Sequence, residues 1–505
     1  MSAPIFQSTG RKRWTSWHDF EHRIDDLINV WNGRPDTSTV DDYNATTAGF
    51  QSLLADALAA GQSVRAKGAG WSYTPVNTTR GLVLNTRPLN YHFSIADSQT
   101  HPDFTGDATK LLFAQGGNSI ADLNRVLEAR GLSLMTSGAA NGQTIAGAMS
   151  TGTHGAAIDV GAVQDFVRAI HLVVSPDRTV WLERASATVT ADSVAAAFNA
   201  ELIRDDRIFD AALVSFGAFG IIQGVVIEAT DLFFLQAWRQ IHRVDSVLVV
   251  GFDRLELERL DLPRPDARPH HFQVFVNPFR YPDEVYLVTM YKDAERRPDC
   301  EPRSIGGLRP GDGALEVIGA ITDIAPDLTP AIANLLIRSV YPEYERVCGT
   351  HAEIFTDTNV RGKSASTAMG IPLGRVRRAL EIVANRIQED QIPVTVALRY
   401  VAATHAPLGF TRHGPQTCVL EVDGPRSRRV LDSYRRIWRD LDAGHIPFTF
   451  HWGKISDLHR NPERLDHMYG QAALGAWRHA REALLPTPEL RALFTNEWME
   501  KVGLS

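Results

Sequence analysis

The chain has 505 residues, 44% hydrophobic and 22% charged, with 52 Lys and Arg against 59 Asp and Glu and a net charge of −7. Two domains are expected at this length, and the hydrophobic share is that of a globular protein with ample core. The acidic balance argues against nucleic acid as the main partner, because that binding needs a basic face to neutralise phosphates. MSAPIFQSTGRKRW lacks an apolar leader core, and no apolar run reaches the length of a membrane span, about eighteen residues. The three scattered cysteines, Cys300, Cys348 and Cys418, fit a reducing, cytoplasmic setting better than a disulfide framework.

Near the N-terminus, Trp14, Trp17, Phe20, Ile24, Leu27, Ile28 and Trp31 stand partly at helical spacing and read as core packing. A helix is predicted from Asn44 to Ala60, with Phe50, Leu53, Leu54, Ala57 and Leu58 on one face and Gly61 ending it. Strands follow at Val64 to Ala66, Gly81 to Asn85 and Leu111 to Gln115, and Ser119 caps a helix to about Arg130. Val167 to Val174 and Thr179 to Glu183 alternate as an antiparallel pair around the turn Ser175 to Arg178. Ala191 to Ala200 reads as helix, and Gly220 to Ala229 returns as a strand.

From Phe233 the character changes. Prolines cluster, and aromatic strands follow at Phe272 to Val276 and Val285 to Met290. Residues 297 to 315 are rich in Pro and Gly and read as an exposed loop. Helices near 316 to 340, 374 to 389 and 426 to 442, with strands at Val394 to Val401 and Thr417 to Val422, complete a second unit. There is no internal repeat or low-complexity segment.

Within the first unit lies GLSLMTSGAANGQTIAGAMSTGTHG, residues 131 to 155, nearly all small and uncharged, with glycines at 131, 138, 142, 147, 152 and 155. Interior glycines each cost a helix roughly 1 kcal/mol, so the stretch suits a loop whose amides face an anionic or polar ligand. Two further Gly-rich turns, VRAKGAGWSYT from Val64 and SFGAFGII from Ser215, likewise abut apolar strands.

In VRAKGAGWS, QTIAGAMSTGTHG, SFGAFGIIQGVVIE and His451-Trp452-Gly453-Lys454, taken in that order, the chain resembles the vanillyl-alcohol-oxidase-type flavoproteins, and within them the sugar-lactone and alditol oxidases. The resemblance covers most of the chain. It implies a two-domain α+β fold with FAD between the domains: an FAD-binding domain over 1 to 235, a mixed-sheet cap domain over 236 to 444, and a C-terminal segment, 445 to 505, that crosses back. The cofactor-binding residues it implies are Lys67, Gly68, Ala69, Gly70, Trp71 and Ser72 in the first turn. The second stretch supplies Gln143, Thr144, Gly147, Ser150, Thr151, Gly152, Thr153 and His154, and the third turn Gly217, Gly220, Ile221 and Ile222, with Lys454 from the tail.

In many relatives a histidine bonded to the flavin stands where this chain has Trp71. An indole cannot form that bond, so FAD is expected to be noncovalent, with Trp71 packing under the dimethylbenzene ring. His154 reads equally as an interior histidine or as a group beside the cofactor. Lys454, following an apolar strand and a glycine, matches a lysine that reaches flavin and substrate, where a cation would stabilise developing negative charge.

In alditol oxidases one strand supplies a carboxylate and, two residues on, an arginine. Arg399 matches the arginine, Ala397 stands at the carboxylate position, and Glu421 stands where the next strand has a histidine. A polyol site must pair several hydroxyls, and each unpaired partner costs about 1 to 3 kcal/mol. A less hydroxylated, more aromatic or apolar alcohol or amine is therefore expected as the small-molecule substrate. The expected catalytic residues are Arg399 and Lys454, with Glu421 or His451 as base. Hydride would pass to flavin N5 and dioxygen would reoxidise the flavin, giving hydrogen peroxide, with Ala146 and Ala148 leaving the flavin edge open to oxygen. The alternatives are a dehydrogenase or biosynthetic tailoring enzyme with another acceptor, and a flavin-binding protein without catalysis. No zinc spacing such as HExxH and no GxSxG elbow occurs, and Arg361-Gly362-Lys363-Ser364 has Asp357 where a phosphate loop needs glycine.

Overall fold

The computed structural model describes residues 4–33, 39–300, 314–355 and 361–505. Ile5–Ser8 (β1), Asp26–Trp31 (β2), Val64–Lys67 (β3) and Leu82–Asn85 (β4) form a sheet in the order β1-β2-β4-β3, parallel except for β1. Thr39–Ala59 (α1) buries Phe50, Leu54 and Ala57, and the Phe50 ring meets Phe6 of β1 edge-on at 5.1 Å.

A second sheet takes His92–Ser94 (β5), Leu111–Gln115 (β6), Val167–Ser175 (β7), Arg178–Glu183 (β8), Glu201–Arg204 (β9) and Ile221–Glu228 (β10), in the order β9-β8-β7-β10-β6-β5. Its central strands β7 and β10 are buried almost end to end, as their apolar runs require of strands covered on both faces. Ile120–Glu128 (α2) starts as predicted at Ser119, whose Oγ accepts from Asp122 N at 3.0 Å while Asp122 Oδ2 accepts from Ser119 N at 3.1 Å. Such a cap stabilises a helix by about 1 kcal/mol.

The third sheet is wholly antiparallel. Phe234–His242 (β11), His271–Val276 (β12), Val285–Asp293 (β13), Tyr344–Gly349 (β14), Ser364–Pro372 (β15), Thr395–Ala402 (β16), Gln416–Pro425 (β17) and Thr449–Phe450 (β18) run β14-β11-β13-β12-β16-β17-β15-β18. Leu398, Leu420 and Val422 turn to one face, where helices Val376–Asp390 and Arg428–Ala443 cover them, Tyr434 donating to the carbonyl of Val422 at 2.7 Å. Ala397, Arg399, Glu421 and Asp423 turn to the other. That face is the floor of the site. Ala314–Ile324 (α4) and Thr329–Val340 (α5) also line the cavity, through Ile318 and Ile337 among others.

The tail binds back to the first half of the chain. Trp477 Nε1 donates to the Val214 carbonyl at 3.2 Å, and Asn496 Nδ2 donates to the carbonyls of Pro75 and Thr78 at 2.9 and 2.7 Å.

Of the apolar residues between 14 and 32, Trp14, Ile24 and Leu27 pack into the core, and they do so from short strands or beside them: Arg13–Thr15 pairs with Glu21–Arg23, then β2 follows. The turn between the paired strands closes through Ser16 N to the Phe20 carbonyl at 2.9 Å. Two expectations are corrected. The stretch 131 to 155 is not all loop. Ile145–Thr151 (α3) forms inside it because only Gly147 is interior, while Thr144 caps its start and Gly152 ends it in the left-handed region at φ 79°. Nor are the cysteines scattered in space: Cys300 and Cys348 form a disulfide with Cα atoms 5.7 Å apart, while Cys418 is buried and free. Spacing along the chain could not show that β14 returns beside Cys300. Most of the Pro- and Gly-rich segment 297 to 315, namely 301 to 313, lies outside the described residues. No helix among the described residues is long and apolar enough to cross a membrane.

Candidate active site

The three Gly-rich turns meet along one wall of a cavity of about 440 Å³, whose opposite wall is the open face of the third sheet. The first turn leaves β3 at Gly68, where a Cβ would stand 2.0 Å from Thr144 Oγ1, so only glycine lets the turn pack on the start of α3. The backbone N–H groups of Gly68 to Ser72 donate to nothing among the described residues. Arg65 of β3 ties this turn to the third, its Nη1 donating to the carbonyl of Phe216 at 2.7 Å.

Aromatic stacking sets the end of that wall. Trp71 stacks on Trp17 with centroids 5.0 Å apart, and a Cβ on Gly142 would fall 2.6 Å from the Trp71 ring. His18 stacks on Tyr73 at 3.9 Å, and Ser364 Oγ lies 2.9 Å from His18 Nδ1 and 3.0 Å from Tyr73 Oη. Burial first, then Lys454 and Arg426, lower the His18 imidazole to about 3.

On the sheet face a buried carboxylate gathers the charged groups. Glu421 Oε2 lies 3.1 Å from Arg399 Nη1, while Glu421 Oε1 lies 3.6 Å from His154 Nε2 and 3.9 Å from Lys454 Nζ. Burial alone would push this carboxyl up, but Arg399 and then Lys454 outweigh it and hold Glu421 well below the usual carboxylate range. Lys454 Nζ also donates to Ser366 Oγ at 2.6 Å and lies 3.9 Å from Asp423 Oδ1. His154 Nδ1 lies 3.0 Å from the carbonyl of Gly155. His451 Nδ1 accepts from Gly453 N at 2.9 Å, and burial, then His154 and Lys454, hold its imidazole well below the usual value. The tail carrying His451 to Lys454 is pinned to the first turn, Tyr73 N donating to the Gly453 carbonyl at 2.8 Å and Thr74 Oγ1 to the Trp452 carbonyl at 2.6 Å.

The cavity wall thus brings together Gly68, Ala69, Gly70, Trp71, Ser72, Gln143, Thr144, Gly147, Ser150, Thr151, Thr153, His154, Gly217, Gly220, Ile222, Arg399, Glu421, His451 and Lys454. Lys67, Gly152 and Ile221 lie off it. Lys67 Nζ turns back to the Gly68 carbonyl and to Asn85 Oδ1, both at 3.3 Å, and burial lowers its amine to about 8. Gly152 ends α3 against Phe410, and Ile221 is core. Ala146 is on the wall, but Ala148 is buried in the core beneath it. Sequence reasoning missed His18, Tyr73, Ser364, Ser366 and Asp423. Asp423 and Tyr73 were within reach, Asp423 being two residues from Glu421 on a strand and Tyr73 following Ser72 in the first turn; the others meet the site only through long-range packing.

Two family models match this chain, one described as FAD binding domain over residues 43–182 and one as D-arabinono-1,4-lactone oxidase over residues 257–502. Solved structures show the same fold: cholesterol oxidase from B. sterolicum has a TM-score of 0.70 at 14% identity, covering 99% of this chain and 97% of that one. A VAO-type flavoprotein from Myceliophthora thermophila has a TM-score of 0.60 at 12% identity, covering 92% and 78%. The chain belongs to the vanillyl-alcohol-oxidase-type FAD flavoproteins. As a member of that family it is an FAD-dependent oxidoreductase.

Among curated relatives, L-gulono-1,4-lactone dehydrogenase of Mycobacterium tuberculosis is 25% identical over 413 residues, 80% of this chain and 83% of its own length. Alditol oxidase of a Streptomyces species is 27% identical over 345 residues, 67% and 70%. The residues present fit FAD. The idle amides of Gly68 to Ser72 suit a diphosphate, and the buried, unpaired Gln143 Oε1 on the same wall can accept from a flavin or ribityl donor.

Proposed function

We propose that this protein uses noncovalently held FAD to oxidise the carbinol carbon of a small-molecule alcohol, with dioxygen as acceptor. The observation that carries the reading is the buried Glu421, held by Arg399 at 3.1 Å and flanked by Lys454 in the cavity lined by the glycine turns. When bound, FAD accepts hydride from the substrate carbon and passes the electrons on to oxygen, giving hydrogen peroxide.

Glu421 is the base by position: it is an ionised carboxylate on the cavity wall, and although Arg399 and Lys454 weaken it as a proton acceptor, the same cations lie where they would stabilise the alkoxide left by the carbinol proton. His451 is not: with Nδ1 accepting from Gly453, its neutral ring carries the proton on Nε2 and can only donate. Lys454 places a cation where negative charge develops. The noncovalent reading is supported by the indole of Trp71, which cannot form the tether and stands on the cavity wall stacked on Trp17. We infer the domain division 1 to 235, 236 to 444 and 445 to 505 as well; it is supported by the third sheet being drawn from residues 234 to 425 with only Thr449–Phe450 added by the tail, and by the tail's bonds to Tyr73, Thr74 and Pro75.

The substrate is less hydroxylated than a sugar lactone or alditol. Away from Glu421 the cavity is lined mostly by Phe275, Val288, Met290, Ile337, Tyr341 and Phe355, with the polar Arg239 and Gln273 among them, and each further hydroxyl left unpaired against these apolar side chains would cost about 1 to 3 kcal/mol. Small side chains at Ala146 and Gly147 on the wall favour oxygen access. The test is oxygen uptake and peroxide release by the purified yellow protein across aromatic, aliphatic and polyhydroxylated alcohols. Turnover only with an artificial electron acceptor would replace oxidase by dehydrogenase, and turnover confined to polyols would overturn the substrate class.

A further inference from the structure

Across the third sheet, Arg239 of β11 pairs with Val288 of β13, Val288 with Gln273 of β12, and Gln273 with Arg399 of β16. Residues directly opposite in an antiparallel ladder share a face, and all four line the cavity. The row spans three strand spacings, about 14 Å between its ends. An arginine stands at each end. Arg399 has its carboxylate, Glu421, on the chain itself. Arg239 has none: it is 4% exposed, no Asp or Glu among the described residues pairs with it, and its Nε is unpartnered. Its contacts are the Pro342 carbonyl, accepting from Nη1 at 3.2 Å, and the rings of Tyr344, Tyr341 and Phe275 at 4.7, 5.3 and 5.9 Å. Gln273 Nε2, midway along the row, is also buried without a partner.

A guanidinium is costly to bury without a counter-charge, and stacking on rings offsets only part of that cost. Its planar fork matches a carboxylate. Resting on the reading of this cavity as the alcohol site, we infer that Arg239 anchors a carboxylate carried by the substrate. The substrate class is then a hydroxy acid. Its carbinol lies at Glu421 and Arg399, an apolar spacer crosses Val288 and Phe275, and its carboxylate pairs with Arg239, with Gln273 donating to a polar atom between. The neighbouring rings make the guanidinium a rigid clamp rather than a swinging surface charge.

The test uses the full-length flavin-loaded protein and a homologous series of straight-chain ω-hydroxycarboxylates with their methyl esters. Binding is read by flavin absorbance changes and by thermal shift, neither of which needs turnover. The acid is expected to bind about 10- to 100-fold more tightly than its ester, the worth of a charge-assisted hydrogen bond. Arg239→Leu should abolish the difference and Arg239→Lys should keep part of it. Equal binding of acid and ester by the wild type, a comparison that needs no variant, would overturn the anchor, as would discrimination that survives in Arg239→Leu. Arg239-dependent binding without turnover of any alcohol would support the anchor while overturning the proposed oxidation. Equal turnover and binding of acids and esters would do the reverse.

Discussion

Glu421 stands directly across the β16–β17 ladder from Ala397, and its carboxylate meets Arg399, two residues along the strand from that alanine. The carboxylate expected before the arginine is therefore supplied by the neighbouring strand, since opposed Cβ atoms in a ladder lie only about 5 Å apart. Glu421→Gln is expected to slow flavin reduction by about 10²- to 10⁴-fold while leaving FAD bound. Combining Glu421→Ala with Ala397→Glu should recover part of the rate in anaerobic stopped-flow. A double variant no faster than Glu421→Ala would show that facing the cavity is not enough.

Lys454 reaches the site from the tail and holds Ser366 at 2.6 Å beside both Glu421 and Asp423. Lys454→Met should cost about 10²- to 10³-fold in kcat, the range for loss of one donor at a developing charge. Steady-state oxygen uptake measures it, and an unchanged kcat with only a raised KM would assign Lys454 to binding alone.

Acid precipitation should release the yellow colour into the supernatant, because the residue at 71 is an indole. Gly142→Ala places a methyl 2.6 Å from the Trp71 ring and must displace it. The ratio of flavin to protein absorbance is expected to fall in this variant, whereas full flavin occupancy would remove Trp71 from the cofactor site.

The Cys300–Cys348 bridge closes a segment with a sequence separation of 48. Replacing both cysteines by serine should destabilise the protein by about 2 to 4 kcal/mol in urea unfolding. A variant within error of the wild type would mean that the bridge adds nothing to global stability.

His171, bonded to Tyr43 Oη at 2.7 Å, and His351 are each lowered to about 3, by burial first in both cases. Each is neutral in the folded chain and protonates on unfolding, so each removes about 1.4 kcal/mol of stability per pH unit as the pH falls from about 6.5 towards 3. Urea midpoints should hold near neutral pH and drop steeply below it. His171→Gln should flatten that slope, and an unchanged slope would place the acid sensitivity elsewhere.

Much of this was legible in the chain because local chemistry carried it. The Ser119 cap, the apolar runs of β7 and β10, the Gly-rich turns and the HWGK tetrapeptide act through neighbours a few residues away. That Trp14, Ile24 and Leu27 pack into the core was legible in their composition, but their partly helical spacing did not show the three short strands around them, because short strands separated by a turn can imitate a helical period over a few positions. Arg239 is an ordinary arginine in the sequence; its isolation from any described carboxylate is a property of the cavity.

By itself the sequence determined where backbone must approach a ligand closely, the buried strands of the second sheet's centre and of the third sheet's middle, and that the indole at residue 71 cannot be the covalent tether. Only the tertiary structure decided that Glu421 stands across the ladder from Ala397 with its carboxylate on Arg399, that His451 Nδ1 accepts from Gly453, that His18, Tyr73 and Ser364 close the wall, and that Cys300 finds Cys348. Local propensities and spacing act over a few residues. Strand register and the packing of distant segments are set by contacts formed only when the whole chain is folded.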